Sequence, residues 1–488
     1  MVFTPLRSIG RRLLMLRQDV LFVIAFGMAC AFGGASLVKK TDADPLLGVK
    51  AFGALGDGVS DDTQLIQKAI DSASGSVFFP AGTYKITKPL VVNLDKVGPL
   101  ALSSDGSATL KMSGAGPCLI VKGTHGGTAL PSTVRPEVWA RERMPLISGL
   151  DIAGDHPEAD GIHAVGTLML TIHRVGIRSC RNGVHLKERN RNIIISDCHV
   201  YSNSGIGIYY DHVNLHQSNI IGCHISYCAG GGIVCRGGEV RNIQIGTCDI
   251  EGNMGKDQDP TANILIDCEG GSTAEVAITG CTIQHSNIKG SANIRILGAG
   301  QGIRSGTLGN WGHVTIQGNV LSDVEDNVHL RQCRGVVLTG NTFWMGYKNN
   351  LVAESCSHLV VGSNLMERNP AYDYGTSKDT LNSVIFSKCK DCTISSLHLQ
   401  GVVGKDAGIL LDSCERINLT GCSVLDCSPV GIQLRGSTKT QVSGCLVRSS
   451  SANVTDRRDS IISVDDDGTN LITGNLTEVA PVVKRKVD

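Results

Sequence analysis

Two stretches near the C-terminus decide the fold: GILLDSCERINLTGCSV over residues 408–424 and GIQLRGSTKTQVSGCLV over residues 431–447. They are the same phrase written twice, 23 residues apart. Ile409 and Leu411 alternate with Leu410 and Asp412, and Ile417 and Leu419 with Asn418 and Thr420, the two-residue period of a strand with one buried face. A turn separates the two short strands of each copy. Working back, the phrase recurs from Ser383, Asn350, Asn327, Asn293, Asn263, Gly232, Gly205 and Gly183, and more weakly from Gly161. Most intervals are 22 to 33 residues.

Self-similarity at that period, made of strands without helices, signals a solenoid whose coils bury their apolar face only by stacking. The expected architecture is an all-β, single-chain parallel β-helix of about 11 to 13 coils, right-handed by the general preference of parallel crossovers. Two side-chain registers support it. One carries Cys198, Cys223, Cys248, Cys281, Asn319, Asn341, Asn364, Cys422, Cys445 and Asn475; the other carries Cys333, Cys356, Cys389 and Cys414. Such a position wants something small that packs or hydrogen-bonds along the stack.

Composition bounds the rest. Of 488 residues, 59 are glycine, which serves turns, and only 4% are aromatic, which suits a narrow core. The 45 basic and 45 acidic residues cancel, but residues 1–40 hold six Lys or Arg against one acid, leaving about −5 beyond them. That balance argues against a nucleic-acid partner. The 18 cysteines fall about once per coil at buried-looking positions and read as stacked thiols behaving as small hydrophobes. The CxxC at Cys389 and Cys392 has neither a second pair nor a nearby His pair, so no metal and no cofactor is expected.

Arg7, Arg11, Arg12 and Arg17 precede nineteen uncharged residues, 20–38, and then Lys39 and Lys40. Residues 1–40 therefore read as an export signal or a membrane anchor that leaves the remainder outside the cytoplasm. The β-helix is expected over 48–478, with 479–488 as a tail. Ser60 or Asp61 is a candidate N-cap, and Leu65, Ile66, Ala69 and Ile70 make an apolar stripe, so a helix over 62–73 is expected to plug the open first coil.

The arrangement FGALGDGVSDDTQLIQKAI at 52–70, followed by VFFPAGTY at 77–84, resembles the N-terminal signature of the pectate-lyase-like superfamily. It lies nearest the rhamnogalacturonase or epimerase-like branch related to the family 28 glycoside hydrolases. The resemblance covers about forty residues and implies the fold. It is weak for reaction, because hydrolases, lyases, epimerases and phage tailspikes share it. Asp57, Asp61 and Asp62 read as turn and cap residues.

Counting each coil from its Gly or Asn as zero, positions one and three point inward and two and four outward. The N-terminal coils then present His163 and His185 at position two. At position four they present Lys187, Tyr209, Arg236 and Asp267, with Asp160 just ahead of its coil and Asp211 just beyond Tyr209. The C-terminal coils offer mainly Val352, Ile385, Leu410 and Gln433. Polarity is thus concentrated between about residues 155 and 270. Asp160, His163, His185, Lys187, Tyr209 and Asp211 are the candidate catalytic residues, and His212, Arg236 and Asp267 the candidate substrate-binding ones.

Such a groove suits an anionic sugar polymer, since cations neutralise uronate carboxylates and a neighbouring base supports β-elimination or epimerisation. Hydrolysis needs two carboxylates flanking the bond. Asp155 and Asp160 are close in sequence, and ADGIH at 159–163 is similar to the NTDGI motif of family 28 polygalacturonases. The likeness stops there: residues 182–187 read NGVHLK where that family brings an Asp pair, residues 204–210 read SGIGIYY in place of its GHG element, and its RIK element is absent. Loops over 123–145, 256–261, 297–311 and 366–380 interrupt the repeat. Their aromatics, Trp139, Trp311, Tyr372 and Tyr374, together with Trp344, could stack on sugar rings or pack on the coils. The expectation is an exported lyase or glycoside hydrolase acting on an acidic, uronate-containing polysaccharide. The alternative is a non-catalytic carbohydrate-binding or surface-structural β-helix.

Overall fold

Strands in this chain turn at single residues in the left-handed region, which explains the placement of its polar and glycine residues. Met144, Met169, Asn192, Gln217 and Asn242 have φ of 59°, 59°, 56°, 67° and 59° and occupy successive turns of one corner. Further left-handed corners run through Asp197, Gly222 and Thr247 and through Glu188, His212 and Gly237. Asn, Asp and Gly tolerate that conformation best.

A computed structural model describes residues 48–256, 261–298, 312–369, 371, 377–403, 406–450 and 459–486. Within them the strands join one continuous sheet in which each named strand pairs in parallel with the equivalent strand of the next coil. The result is a right-handed parallel β-helix. Ile409 stands against Ile432 and Leu411 against Leu434, as the repeated phrase requires. The core is a single column of Ile, Leu, Val and Cys from Val49 to Ile461. Each coil supplies its share of apolar surface and none could shield it alone.

The small-residue registers are side-chain ladders. Cys198, Cys223, Cys248 and Cys281 donate Sγ–H to the carbonyls of Ser196, Ile221, Gly246 and Thr279. Beyond Cys281 the thiols give way to amides: Asn319 donates to Asn341 at 3.0 Å and Asn341 to Asn364 at 2.9 Å. Every cysteine among the described residues is a free thiol, and all but Cys427 are buried. A further amide ladder runs through Asn253, Asn263, Asn293, Asn327 and Asn350, with Nδ2 to Oδ1 distances of 2.9, 2.9, 2.8 and 2.8 Å. Four of these are residues from which the repeat was counted. A coil therefore starts where a buried amide can bond both the coil below and the coil above.

The helix Thr63–Asp71 buries Ile66, Ala69 and Ile70 in the first coils. Gln67 accepts from Val91 N at 2.8 Å and donates to Val91 O at 2.9 Å, pairing backbone that an uncovered edge would leave exposed. Neither Ser60 nor Asp61 is the residue that precedes the helix; Asp62 is. Its carboxylate holds Leu55 N and Gly56 N at 2.8 and 2.9 Å, while Asp61 accepts from Thr63 N at 3.0 Å. At the other end Val482–Arg485 pairs with residues 462–466. The basic and uncharged stretch expected to direct export lies outside the described residues. No helix of the described residues is long and apolar enough to cross a membrane.

Candidate functional site

Two adjacent registers on one face build the site. The first runs His163, His185, Tyr209, Val234, Leu265, Arg295 and His329; the second runs Val165, Lys187, Asp211, Arg236 and Asp267. Tyr209 therefore shares its register with the two histidines, and Asp211 with Lys187. The sequence reading placed Tyr209 beside Lys187 because it counted that coil from Gly205. Val184 pairs with Ile208, so the coil starts at Gly207, two residues on. Because the shift is even, every side chain stayed on its proper face and only the neighbours were misassigned.

The outward registers are also less solvated than alternation implies. His185 is 7% exposed, and Val234 and Leu265 are buried. On this face Ile206, Val234, Ala262, Leu265, Ala292 and Leu297 make a small apolar cluster against which Tyr209 packs.

Asp160, fully buried, is a clamp. Arg181 donates Nε to Oδ1 at 2.9 Å and Nη2 to Oδ2 at 2.6 Å, Asn182 donates its backbone N–H at 2.9 Å, and His163 Nε2 lies 3.0 Å from Oδ2. Burial alone would raise its carboxyl, but the hydrogen bonds from His163, Arg181 and Asn182 outweigh burial and hold it well below the usual carboxylate range. A carboxylate so held does not lend a proton to a leaving group. Asp155, its sequence neighbour, pairs with Lys111 at 2.9 Å.

The rings stack upward from this clamp. His163 meets His185 edge-on, centroids 4.7 Å apart, and His185 lies nearly flat on Tyr209 at 4.9 Å. His185 Nε2 is 2.9 Å from Asp211 Oδ2, and His212 Nδ1 is 2.8 Å from Asp211 Oδ1. An ionised carboxylate only accepts, so both imidazoles donate N–H to Asp211 and keep a lone pair on the other nitrogen. For His185 that nitrogen, Nδ1, is buried without a partner. For His212, 67% exposed in its side chain, it is the open one. Burial lowers the His185 pKa although Asp211 opposes it. Burial raises Asp211, but hydrogen bonds from His212 and His185 bring it below its usual value. Tyr209 is raised by burial and further by Asp211, against a lowering by Arg236.

Among the described residues, neither Lys187 nor Arg236 has a carboxylate partner. Asp267 keeps the expected register against Arg236, yet its Oδ1 accepts from its own turn at Glu269 N, 3.0 Å. The structure thus gathers Asp160, His163, His185, Lys187, Tyr209, Asp211, His212 and Arg236 over four coils and leaves Asp267 facing its turn.

Arg181 and Asn182 escaped the sequence reading, since neither sits at an outward strand position. Arg295 and His329 escaped it too, although the position-two count includes them. Arg295 Nε donates to His329 Nδ1 at 3.1 Å, and His329 Nε2 is 3.4 Å from Glu354, so polarity resumes beyond Leu265. Of the aromatics, Trp139 packs with Val134, Val138, Leu168 and Met169 under the 123–145 loop. Trp311, Tyr372 and Tyr374 lie outside the described residues. Asp160, His163 and His185 could hold a metal ion, their ligand atoms lying within 4.8 Å of one another. A cation there would compete with Arg181 for the Asp160 carboxylate.

Comparison with known proteins agrees with the fold. The model described as rhamnogalacturonase A/epimerase, pectate lyase-like, matches residues 47–107, and that of the right-handed beta helix region matches 138–283. The model of a periplasmic copper-binding protein, NosD, matches 262–478. Plasmin and fibronectin-binding protein A of Streptococcus pneumoniae is 49% identical over 55 residues, 10% of this chain and 8% of that protein. A mannuronan C5-epimerase of Azotobacter vinelandii is 60% identical over 43 residues, 8% of this chain and 4% of that one. Alginate lyase 7 of the same organism is 28% identical over 179 residues, 33% of this chain and 20% of that one. The alignments span at most a fifth of these relatives. Tailspike protein 3 of bacteriophage CBA120 superposes with a TM-score of 0.51 at 12% identity, over 90% of this chain and 62% of that one. A double mutant of the tailspike of E. coli bacteriophage HK620 also gives 0.51, at 10% identity, over 86% and 78%. With the register of its coils and the signature at its N-terminal cap, the chain belongs to the pectate-lyase-like right-handed β-helix superfamily.

Proposed function

We propose that the chain is an exported enzyme that acts on a uronate-containing polysaccharide by proton transfer at C5, as a lyase or an epimerase. The observation that carries this reading is Asp211, whose two oxygens hold His185 and His212 at 2.9 and 2.8 Å beside Tyr209. Asp211 fixes the His212 tautomer so that Nε2 presents a lone pair to the open face, the role a carboxylate plays for a general base. Lys187 and Arg236 flank Asp211 in register and neutralise the substrate carboxylate, which makes the proton beside it acidic. Tyr209, raised by burial, keeps its proton and can donate it to the departing glycosidic oxygen, giving elimination. Returning a proton to the opposite face of C5 gives epimerisation.

A hydrolase is the weaker reading. It needs two carboxylates about 5 to 9.5 Å apart across the bond, one of them protonated, and Asp155 and Asp160 are both tied to basic residues. The second reading, a non-catalytic carbohydrate-binding rod, draws on the short match to a pneumococcal binding protein. Incubation with alginate, pectate and other acidic glycans separates them. Ultraviolet absorbance of an unsaturated uronate marks the lyase. A changed ratio of C5 epimers without it marks the epimerase, and new reducing ends alone mark a hydrolase. Binding with none of these overturns the enzymatic reading.

A further inference from the structure

One corner beyond Asp211, the same coils carry two arginines with no ion pair among the described residues. The segment 187–191 reads KERNR. After the left-handed corner at Glu188, Arg189 and Arg191 both point outward on either side of inward-facing Asn190. Arg191 is 7% exposed; it donates Nη1 to Thr128 O and Nε to Asn192 Oδ1 at 3.0 Å, both neutral acceptors. Arg189 has no hydrogen-bond or ion-pair partner among the described residues. His125, on the 123–145 loop, lies near this pair: it bonds Gly166, whose neighbour Thr167 pairs with Asn190 between the two arginines, and Arg191 reaches the same loop at Thr128. His125 is held by its backbone N–H to Gly166 O at 2.9 Å and is 3% exposed. Its Nδ1 and Nε2 are both buried and both lack a partner. Of the nearby acids, Glu142 accepts from Thr124 N and Oγ1 and Glu239 pairs with Arg241 at 3.3 Å, while Glu188 and Glu275 are exposed to solvent.

One buried and one partly buried guanidinium group beside an imidazole with both polar atoms unsatisfied is an arrangement that costs stability as it stands. A single oxyanion would relieve it, accepting from Arg189, from the free N–H groups of Arg191 and from the His125 N–H at once. We infer that His125, Arg189 and Arg191 form an anion-binding subsite, which takes a carboxylate or sulfate substituent of the glycan on a sugar unit away from the reacting one. The inference rests on the acidic-glycan reading for its ligand but not for the site itself. The loop that carries His125 and Thr128 interrupts the repeat where it covers this subsite, so an occupant would fix the loop in place.

The test is thermal unfolding of the full chain in sodium sulfate against sodium chloride at matched ionic strength, together with calorimetric binding of a uronate oligosaccharide and of its carboxyl-reduced, neutral analogue. Arg189→Gln, at a partly buried position, is the variant, and His125→Phe the second should the first fail to fold. The expected result is a sulfate-specific rise in Tm that the variant loses. The variant should also bind the uronate oligosaccharide about tenfold more weakly, the loss of one charge-assisted hydrogen bond, with no change for the neutral analogue. Equal Tm in the two salts overturns the subsite. A sulfate response with unchanged oligosaccharide affinity in the variant overturns the glycan as occupant and leaves a free anion. A sulfate response in a protein that neither binds nor alters any acidic glycan refutes the enzymatic reading instead.

Discussion

His185 Nε2 and Asp211 Oδ2 are 2.9 Å apart although 26 residues separate them in the chain. One full coil of the β-helix brings them together, along with Tyr209 flat against the His185 ring. Asp211→Asn keeps the shape of the side chain but cannot accept from both imidazoles. We expect turnover on the uronate substrate to fall by about 10²-fold or more, with the melting temperature little changed because Asp211 is a partly exposed residue. Steady-state kinetics beside thermal unfolding checks both halves.

Gly237 lies beneath the His212 ring, where an added Cβ would come within 2.5 Å of Cδ2. Gly237→Ala should therefore swing His212 off Asp211 and cut activity well below wild type. At φ of 58° it should also cost about 1 kcal/mol of stability. Wild-type kinetics in this variant would show that His212 takes no part in proton transfer.

The clamp at Asp160 makes a statement about pH. Its carboxyl is depressed in the folded protein and returns to about 3.9 on unfolding. The stabilisation it gives is thus complete above that value and disappears as pH falls through the folded one. Asp160→Asn should lower stability at neutral pH by about 2 to 4 kcal/mol and flatten the loss of stability below pH ~4. Denaturant unfolding at several pH values measures it; parallel pH profiles for variant and wild type would remove Asp160 from this role.

The amide ladder predicts a purely structural effect. Asn293 bonds Asn263, Asn327 and the carbonyl of Ser322. Asn293→Ala should leave buried partners unsatisfied and cost about 1 to 3 kcal/mol, without altering substrate affinity. Chemical denaturation and a binding isotherm on the same sample test the pair of claims.

The fold was legible because each coil must repeat the same inward pattern, so Ile409 announces Ile432 and Asn293 announces Asn327. The site was legible only in part. His163, His185 and Lys187 followed from counting, whereas Tyr209 landed beside the wrong neighbour: Gly205 and Gly207 are equally good coil starts by alternation, and only pairing with Gly183 chooses between them. Arg181 was hidden because it lies in a connection, where no period applies. The burial of His185 was hidden because the His163 and Tyr209 rings close on it from the coils on either side, contacts that alternation within one coil does not report. Arg295 and His329 were within reach of the same count that found His163.

Release of the C5 hydrogen tests the central claim most directly. A uronate polymer deuterated at C5, incubated with the full chain and followed by NMR, should lose its label to solvent whether elimination or epimerisation ensues, and should keep it in the presence of the Asp211→Asn variant. Label retained by wild-type protein on every acidic glycan it binds would contradict the account.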